Sequence, residues 1–184
     1  MVKQNHTILD VNIVNNDVCN EVWTFYFVGS KSKEGVGANF LLIDPKGNKM
    51  FISCRLEFEC TNNIVKYEAL LQGLKNAIDL DVKLLKVFED SKIIVKRVRN
   101  SFHCVSAHLK SYRIEVWNLL SKFLAFNISS IPKSQNREVD LLANVTSRLI
   151  LTKGFEPNSF SVDFIFIPLI PDNITNWRMF DDDQ

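Results

Sequence analysis

The sequence predicts an α/β fold, a mixed sheet with helical cover, from the order in which hydrophobic periodicity changes along the chain. Residues 23–58 hold short apolar runs separated by glycine-containing turns, as consecutive antiparallel strands do. From residue 61 the period becomes helical, and strand-like and helix-like segments then alternate.

Taken in order, Trp23–Val28 is the first predicted strand and Val36–Ile43 the second, joined by a polar stretch containing Gly29 and Gly35. Asp44-Pro45-Lys46-Gly47-Asn48 is a turn signal. Met50–Phe58 is the third strand, in imperfect alternation. Thr61-Asn62-Asn63 supplies N-cap side chains for a helix whose apolar face is Ile64, Tyr67, Leu71, Leu74 and Ile78. Ala69, Gly73 and Ala77 add a row of small residues suited to close packing on a sheet. Lys83–Phe88 reads as a strand, Ile93–Val98 and Ala107–Phe123 as helices, Phe126–Ile131 as a strand, and Glu138–Ile150 as a final helix. The order is β-β-β-α-β-α-α-β-α, with five strands. Alternation over Phe160–Phe166 suggests one more strand, while Pro168, Pro171 and Asp181-Asp182-Asp183 suggest an extended tail.

With 184 residues, 46% of them hydrophobic, the chain suits one domain with an extension. Its boundaries are expected at 1–20 for a lead-in, 21–151 for the domain and 152–184 for the extension or linker. A net charge of +1 gives no overall case for nucleic-acid or membrane-surface binding, so only local patches could serve. Cys19, Cys54, Cys60 and Cys104 form no C-x-x-C pair, and His103-Cys104 has no second cluster to complete a zinc site. They are read as reduced, structural thiols. No run has the length of a membrane span, and residues 1–16 lack a signal peptide's apolar core, so a cytoplasmic or nuclear location is expected.

Three carboxylates occupy suggestive places. Glu68 lies on or beside the packed face of the first helix, Asp90 follows a strand next to a helix start, and Asp140 lies in the first turn of the last helix after Asn136. Ligands of open α/β sheets gather at the carboxyl ends of strands, and converging carboxylates suit a hard cation such as Mg2+. Two such ions could activate water on a phosphodiester. The plain alternative stays open: Glu68 reaches solvent, while Asp90 and Asp140 only stabilise helix N-termini.

Longer blocks carry a family resemblance. "WTFYFVGSKSKEGVGANFLLIDPKG", "CTNNIVKYEALLQGLKNAIDLDVKLLKVFEDS" and "ISSIPKSQNREVDLLANVTS" resemble, in order, the first hairpin, the first helix with the fourth strand, and the last strand with the last helix of type 1 ribonuclease H domains. The likeness is greatest to those of plant gypsy-type retrotransposon polyproteins, and "IPDNITNWRMFDDD" resembles the segment that follows the domain there. The resemblance implies a ribonuclease H-like fold. It also implies an activity, cleavage of the RNA strand of RNA–DNA hybrids by four carboxylates with Mg2+ or Mn2+. It makes Glu68, Asp90 and Asp140 catalytic and metal-binding residues.

The fourth carboxylate is missing. The family carries Asp at the end of the first strand, and this chain has Val28 in "FVGS". Valine offers no oxygen to a hard cation, and losing even an outer-shell partner costs about 10–100-fold in metal affinity or activity. Glu89 stands where the family has a small residue, adding an acidic group expected to repel substrate phosphate. Lys66 stands where the related elements carry an acidic residue, and the loop before the last helix lacks the family's histidine. His103 and His108 lie too early in the chain to replace it and are assigned loop or helix-surface roles.

Binding is less affected than catalysis. Thr61, Asn62 and Asn63 match the family stretch that contacts the nucleic-acid backbone, and hybrids are recognised by shape, phosphates and 2′-hydroxyls. Lys92, Lys96, Arg97 and Arg99 form a local basic cluster, read equally as a solvated face or a phosphate contact. The expected function is a retroelement-derived ribonuclease H-like domain with impaired hydrolysis and RNA–DNA hybrid or other nucleic acid as partner, with no membrane partner. The alternatives are a non-catalytic nucleic-acid-binding module or a decayed retroelement remnant.

Overall fold

The computed structural model describes residues 21–99, 106–137, 139–140 and 162–171. Strand β1 (Val22–Lys31) pairs antiparallel with β2 (Val36–Ile43), and β2 with β3 (Lys49–Leu56). Strand β4 (Leu84–Glu89) runs parallel to β1, and β5 (Ala125–Ser130) parallel to β4. A sixth strand, β6 (Val162–Ile165), lies parallel to β3, giving the order β5-β4-β1-β2-β3-β6. The helices are α1 (Asn62–Asp79), α2 (Lys92–Val98) and α3 (Ala107–Leu120).

Local chemistry sets these elements. The β2–β3 turn is held by the Asp44 carboxylate, whose Oδ1 accepts from the backbone N–H groups of Lys46 and Asn48 at 2.9 and 2.8 Å. Thr61 is the N-cap of α1, and its hydroxyl accepts weakly from the Ile64 N–H at 3.4 Å. The inward face of α1 includes Ala69, Leu70, Gly73, Leu74 and Ala77, all buried. The small row does what its composition predicts. A Cβ on Gly73 would sit 2.1 Å from the Phe25 ring, so only glycine lets α1 come this close to β1.

Side chains alternate across β1. Phe25 and Phe27 enter the main core with α1. Tyr26 and Val28 face the other side, in a smaller cluster with Leu41, Ile43 and Val139.

The sheet thus has six strands, not five. The added strand comes from the region expected to be an extension or linker, and its described residues are integral to the sheet. Alternation in 160–166 marked a strand, but its parallel partner β3 is distant in sequence and has no local signal. β1 also continues past Val28 to Lys31, β4 takes in Glu89, and α3 stops at Leu120, short of the expected Phe123. Of the predicted helix Glu138–Ile150, Val139 and Asp140 are helical and the rest lies outside the described residues.

Candidate functional site

The parallel ladder between β1 and β4 ends at Tyr26–Phe88, while β1 continues along β2. Val28 and Asp90 lie just beyond the point where β1 and β4 part, at the kind of sheet edge where α/β folds bind ligands. Gly29 brings α1 to this place. A Cβ there would lie 2.7 Å from Val65 Cγ1 and 2.8 Å from the Lys66 backbone nitrogen. Lys66 is therefore the α1 residue that meets the strand ends. Its ammonium donates to Glu89 Oε1 at 2.5 Å and to Asp90 Oδ1 at 3.4 Å.

The predicted site residues do not all gather here. Asp90 does, through Lys66. Glu68 does not. It is two residues on from Lys66, about 200° around the helix axis, and fully buried. Its Oε1 accepts from the Tyr112 hydroxyl at 2.6 Å and from the Leu169 backbone N–H at 2.9 Å. The expectation that Glu68 would converge with Asp90 and Asp140 is corrected. The packed face of α1 points at α3 and the chain after β6, and that environment takes Glu68. Asp140 has Lys133 Nζ at 3.8 Å from Oδ2, and its N–H bonds Asn136 O in the first turn of the last helix. Asn136, proposed as a cap, also donates its side-chain amide to Phe27 O at 3.2 Å, tying this loop to β1. Val28 is 3% exposed among Leu41 and Val139.

Sequence reasoning missed Lys66 and Glu89 as the centre of this corner. Glu89 was expected to repel substrate phosphate, yet its side chain is fully buried and faces Lys66. The signal available was the acidic-to-lysine departure at residue 66, read alongside an extra carboxylate at 89.

Burial raises the Glu89 carboxyl to about 7, against the pull of the adjacent Lys66 ammonium. Desolvation thus outweighs ion pairing for the acid. Burial opposes the charge on Lys66 as well, but Glu89 and Asp90 more than offset it and hold the ammonium above its ordinary value. Glu68 is raised by burial, only partly relieved by Tyr112 and the Leu169 N–H. Unfolded, Glu89 ionises near its ordinary 4.5. Between that value and about 7 the folded chain binds more protons, so stability falls as pH rises and then levels off. Lys66 is constant in this window, since its contribution is lost only as pH passes its raised value. Urea melts should show a lower midpoint at neutral pH than at mildly acidic pH. Glu89→Gln should shrink the difference, leaving the part due to Glu68. A midpoint that rises over this window would contradict the assignment.

These groups do not fit a hard divalent ion. Val28 brings no donor, Lys66 places an ammonium against Glu89 and Asp90, and Oε1 of Glu68 already accepts two hydrogen bonds. Among the described residues no three His, Cys, Asp or Glu side chains are placed to hold a metal ion. Cys54 and Cys60 are buried free thiols, and burial with nearby Asp163 and Glu68 pushes Cys54 up to about 12. Cys19, His103 and Cys104 lie outside the described residues. His108 bonds the Ile170 carbonyl through Nε2 at 3.0 Å.

The expected binding residues differ in exposure. Thr61 and Asn62 are exposed and Asn63 half-buried at the start of α1. Lys92, Lys96 and Arg99 are exposed on and just after α2, while Arg97 is half-buried. No described helix is long and apolar enough to cross a membrane.

The chain is 24% identical over 133 residues to ribonuclease HI of Halobacterium salinarum, covering 72% of this chain and 67% of that protein. It is 30% identical over 84 residues to a bifunctional protein of Mycobacterium tuberculosis, covering 46% of this chain. The match spans only 23% of that relative's length. Among solved structures, ribonuclease H1 from Halobacterium salinarum matches with a TM-score of 0.64 at 23% identity, covering 68% of this chain and 96% of that one. A ribonuclease H1 from compost, in complex with an RNA/DNA hybrid, matches with a TM-score of 0.59 at 23% identity, covering 67% and 94%. These likenesses agree with the mixed sheet in giving a ribonuclease H-like fold. The family described as reverse transcriptase-like matches residues 27–146, well over half of the chain, and the protein belongs to that family.

Proposed function

We propose that the chain is a retroelement-derived, type 1 ribonuclease H-like domain, nearest to those of plant gypsy-type retrotransposons, that binds RNA–DNA hybrid and has lost most or all hydrolysis. The observation that carries this reading is Val28. Where the resemblance calls for an acid, an apolar side chain is sealed against Leu41 and Val139. Of the carboxylates named for catalysis and for Mg2+ or Mn2+, Asp90 and Asp140 each face an ammonium, that of Lys66 and that of Lys133, and Glu68 is held elsewhere. A non-catalytic binding module is the form of this reading that Lys66 favours, because an ammonium beside Asp90 opposes a cation there but not a phosphate. The hybrid-bound structure of a ribonuclease H1 relative supports the choice of ligand. A cytoplasmic or nuclear setting goes with it.

The binding surface proposed is Thr61, Asn62 and Asn63 with the α2 lysines. Fluorescence anisotropy with a labelled RNA–DNA hybrid at low salt should show binding that weakens steeply as salt rises. The double variant Asn62→Ala/Asn63→Ala should bind several-fold more weakly while melting as the native chain does. No binding at low salt, or affinity unchanged by the pair, would refute the reading.

A further inference from the structure

We propose that the Lys66 ammonium is a built-in replacement for a divalent cation at the end of β4, so that this corner of the fold is complete without metal. The inference concerns the cation alone and holds whether or not the chain binds a hybrid. Its basis is placement. Lys66 Nζ lies 2.5 Å from Glu89 Oε1 and 3.4 Å from Asp90 Oδ1, a single positive charge shared by two carboxylates. Glu89 is fully buried and could not stand there ionised without a cation. The close pass of Gly29 against Val65 and Lys66 fixes the helix so that the ammonium cannot be traded for the Glu68 carboxylate, which belongs to the opposite face.

Three features of the corner then have one explanation. Residue 28 can be a valine in an apolar cluster, because no cation there needs an oxygen from this position. Glu89 is an extra acid, because a lysine needs a close counter-charge when it is largely withdrawn from water. Asp90 keeps a cationic partner of lower charge, reached from within the chain. A divalent ion would have to displace an ammonium whose side chain is 19% exposed and would find too few oxygens to complete a six-ligand shell.

The test uses the full chain and two readouts, uptake of free Mn2+ by electron paramagnetic resonance and melting temperature in Mn2+ against chelator. The native chain should take up no Mn2+ and should melt at the same temperature in both. In Lys66→Ala the space and the two carboxylates become available to an external cation. Its melting temperature should fall in chelator and recover in part with Mn2+, because a ligand that binds only the folded state stabilises it. A lysine that merely packed would give the fall without the recovery. Should Lys66→Ala be too unstable to purify, Lys66→Gln serves in its place, and the native titration decides by itself. Stoichiometric Mn2+ uptake by the native chain would overturn the proposal, as would a Lys66 variant that melts identically with and without Mn2+.

Discussion

Lys66→Ala lowers folding stability, measured by urea denaturation at neutral pH in chelator, toward the lower end of the ~3–5 kcal/mol seen when one partner of a buried ion pair is removed. Glu89 is the reason. Its carboxyl is fully buried, and Lys66 is the cation paired with it among the described residues. Two features moderate the loss. Lys66 is itself partly exposed, and Glu89 can escape by taking up a proton, since burial has already raised it to about 7. The deficit should therefore shrink below pH 6 or so, where a carboxyl raised this far is mostly neutral. The double variant Lys66→Ala/Glu89→Gln should recover much of the loss, because the uncompensated charge goes with the acid. A Lys66→Ala loss within about 0.5 kcal/mol, the range of ordinary surface substitutions, would mean that the ammonium does not hold this corner together.

Val28→Asp is the second large effect, and it restores the residue that the family resemblance calls for. It is expected to destabilise the chain by about 1–3 kcal/mol, the cost of burying a polar group without a partner. It should produce little cleavage of a labelled hybrid with Mg2+ or Mn2+. The side chain at 28 is buried against Leu41 and Val139, so a carboxylate there enters an apolar cluster. Lys66 still occupies Glu89 and Asp90, so the new oxygen does not complete a cation site. Strong cleavage by Val28→Asp would show that one substitution was the whole defect and that Lys66 yields to metal.

The two variants mark what the sequence disclosed and what it did not. The β-β-β-α start was readable because alternation, the Asp44–Asn48 turn and the Thr61 cap are local signals, and each forms as read. The reading of Val28 as a missing acid rests on resemblance alone, since a valine in an apolar strand is unremarkable in itself. Glu68 was misplaced because its spacing put it on the packed face, and that face turns toward Tyr112 and the chain after β6. Both partners lie far off in sequence, so no helical periodicity could name them. Lys66, two residues earlier, was read only as a departure from the acidic residue of related elements. Its role rests on the Gly29 approach and on its meeting Glu89, the last residue of β4, and Asp90 just after it, which are tertiary facts. The sixth strand was half-visible for the same reason: the alternation was local and the pairing with β3 was not.

The central claim is that this ribonuclease H-like domain keeps its shape and lacks a working divalent site. Cleavage of an end-labelled RNA–DNA hybrid by the purified native chain, with Mg2+, with Mn2+ and with chelator, tests it most directly. The account predicts intact RNA in all three conditions under protein excess. Metal-dependent cleavage by the native chain, abolished by Asp90→Asn, would contradict it.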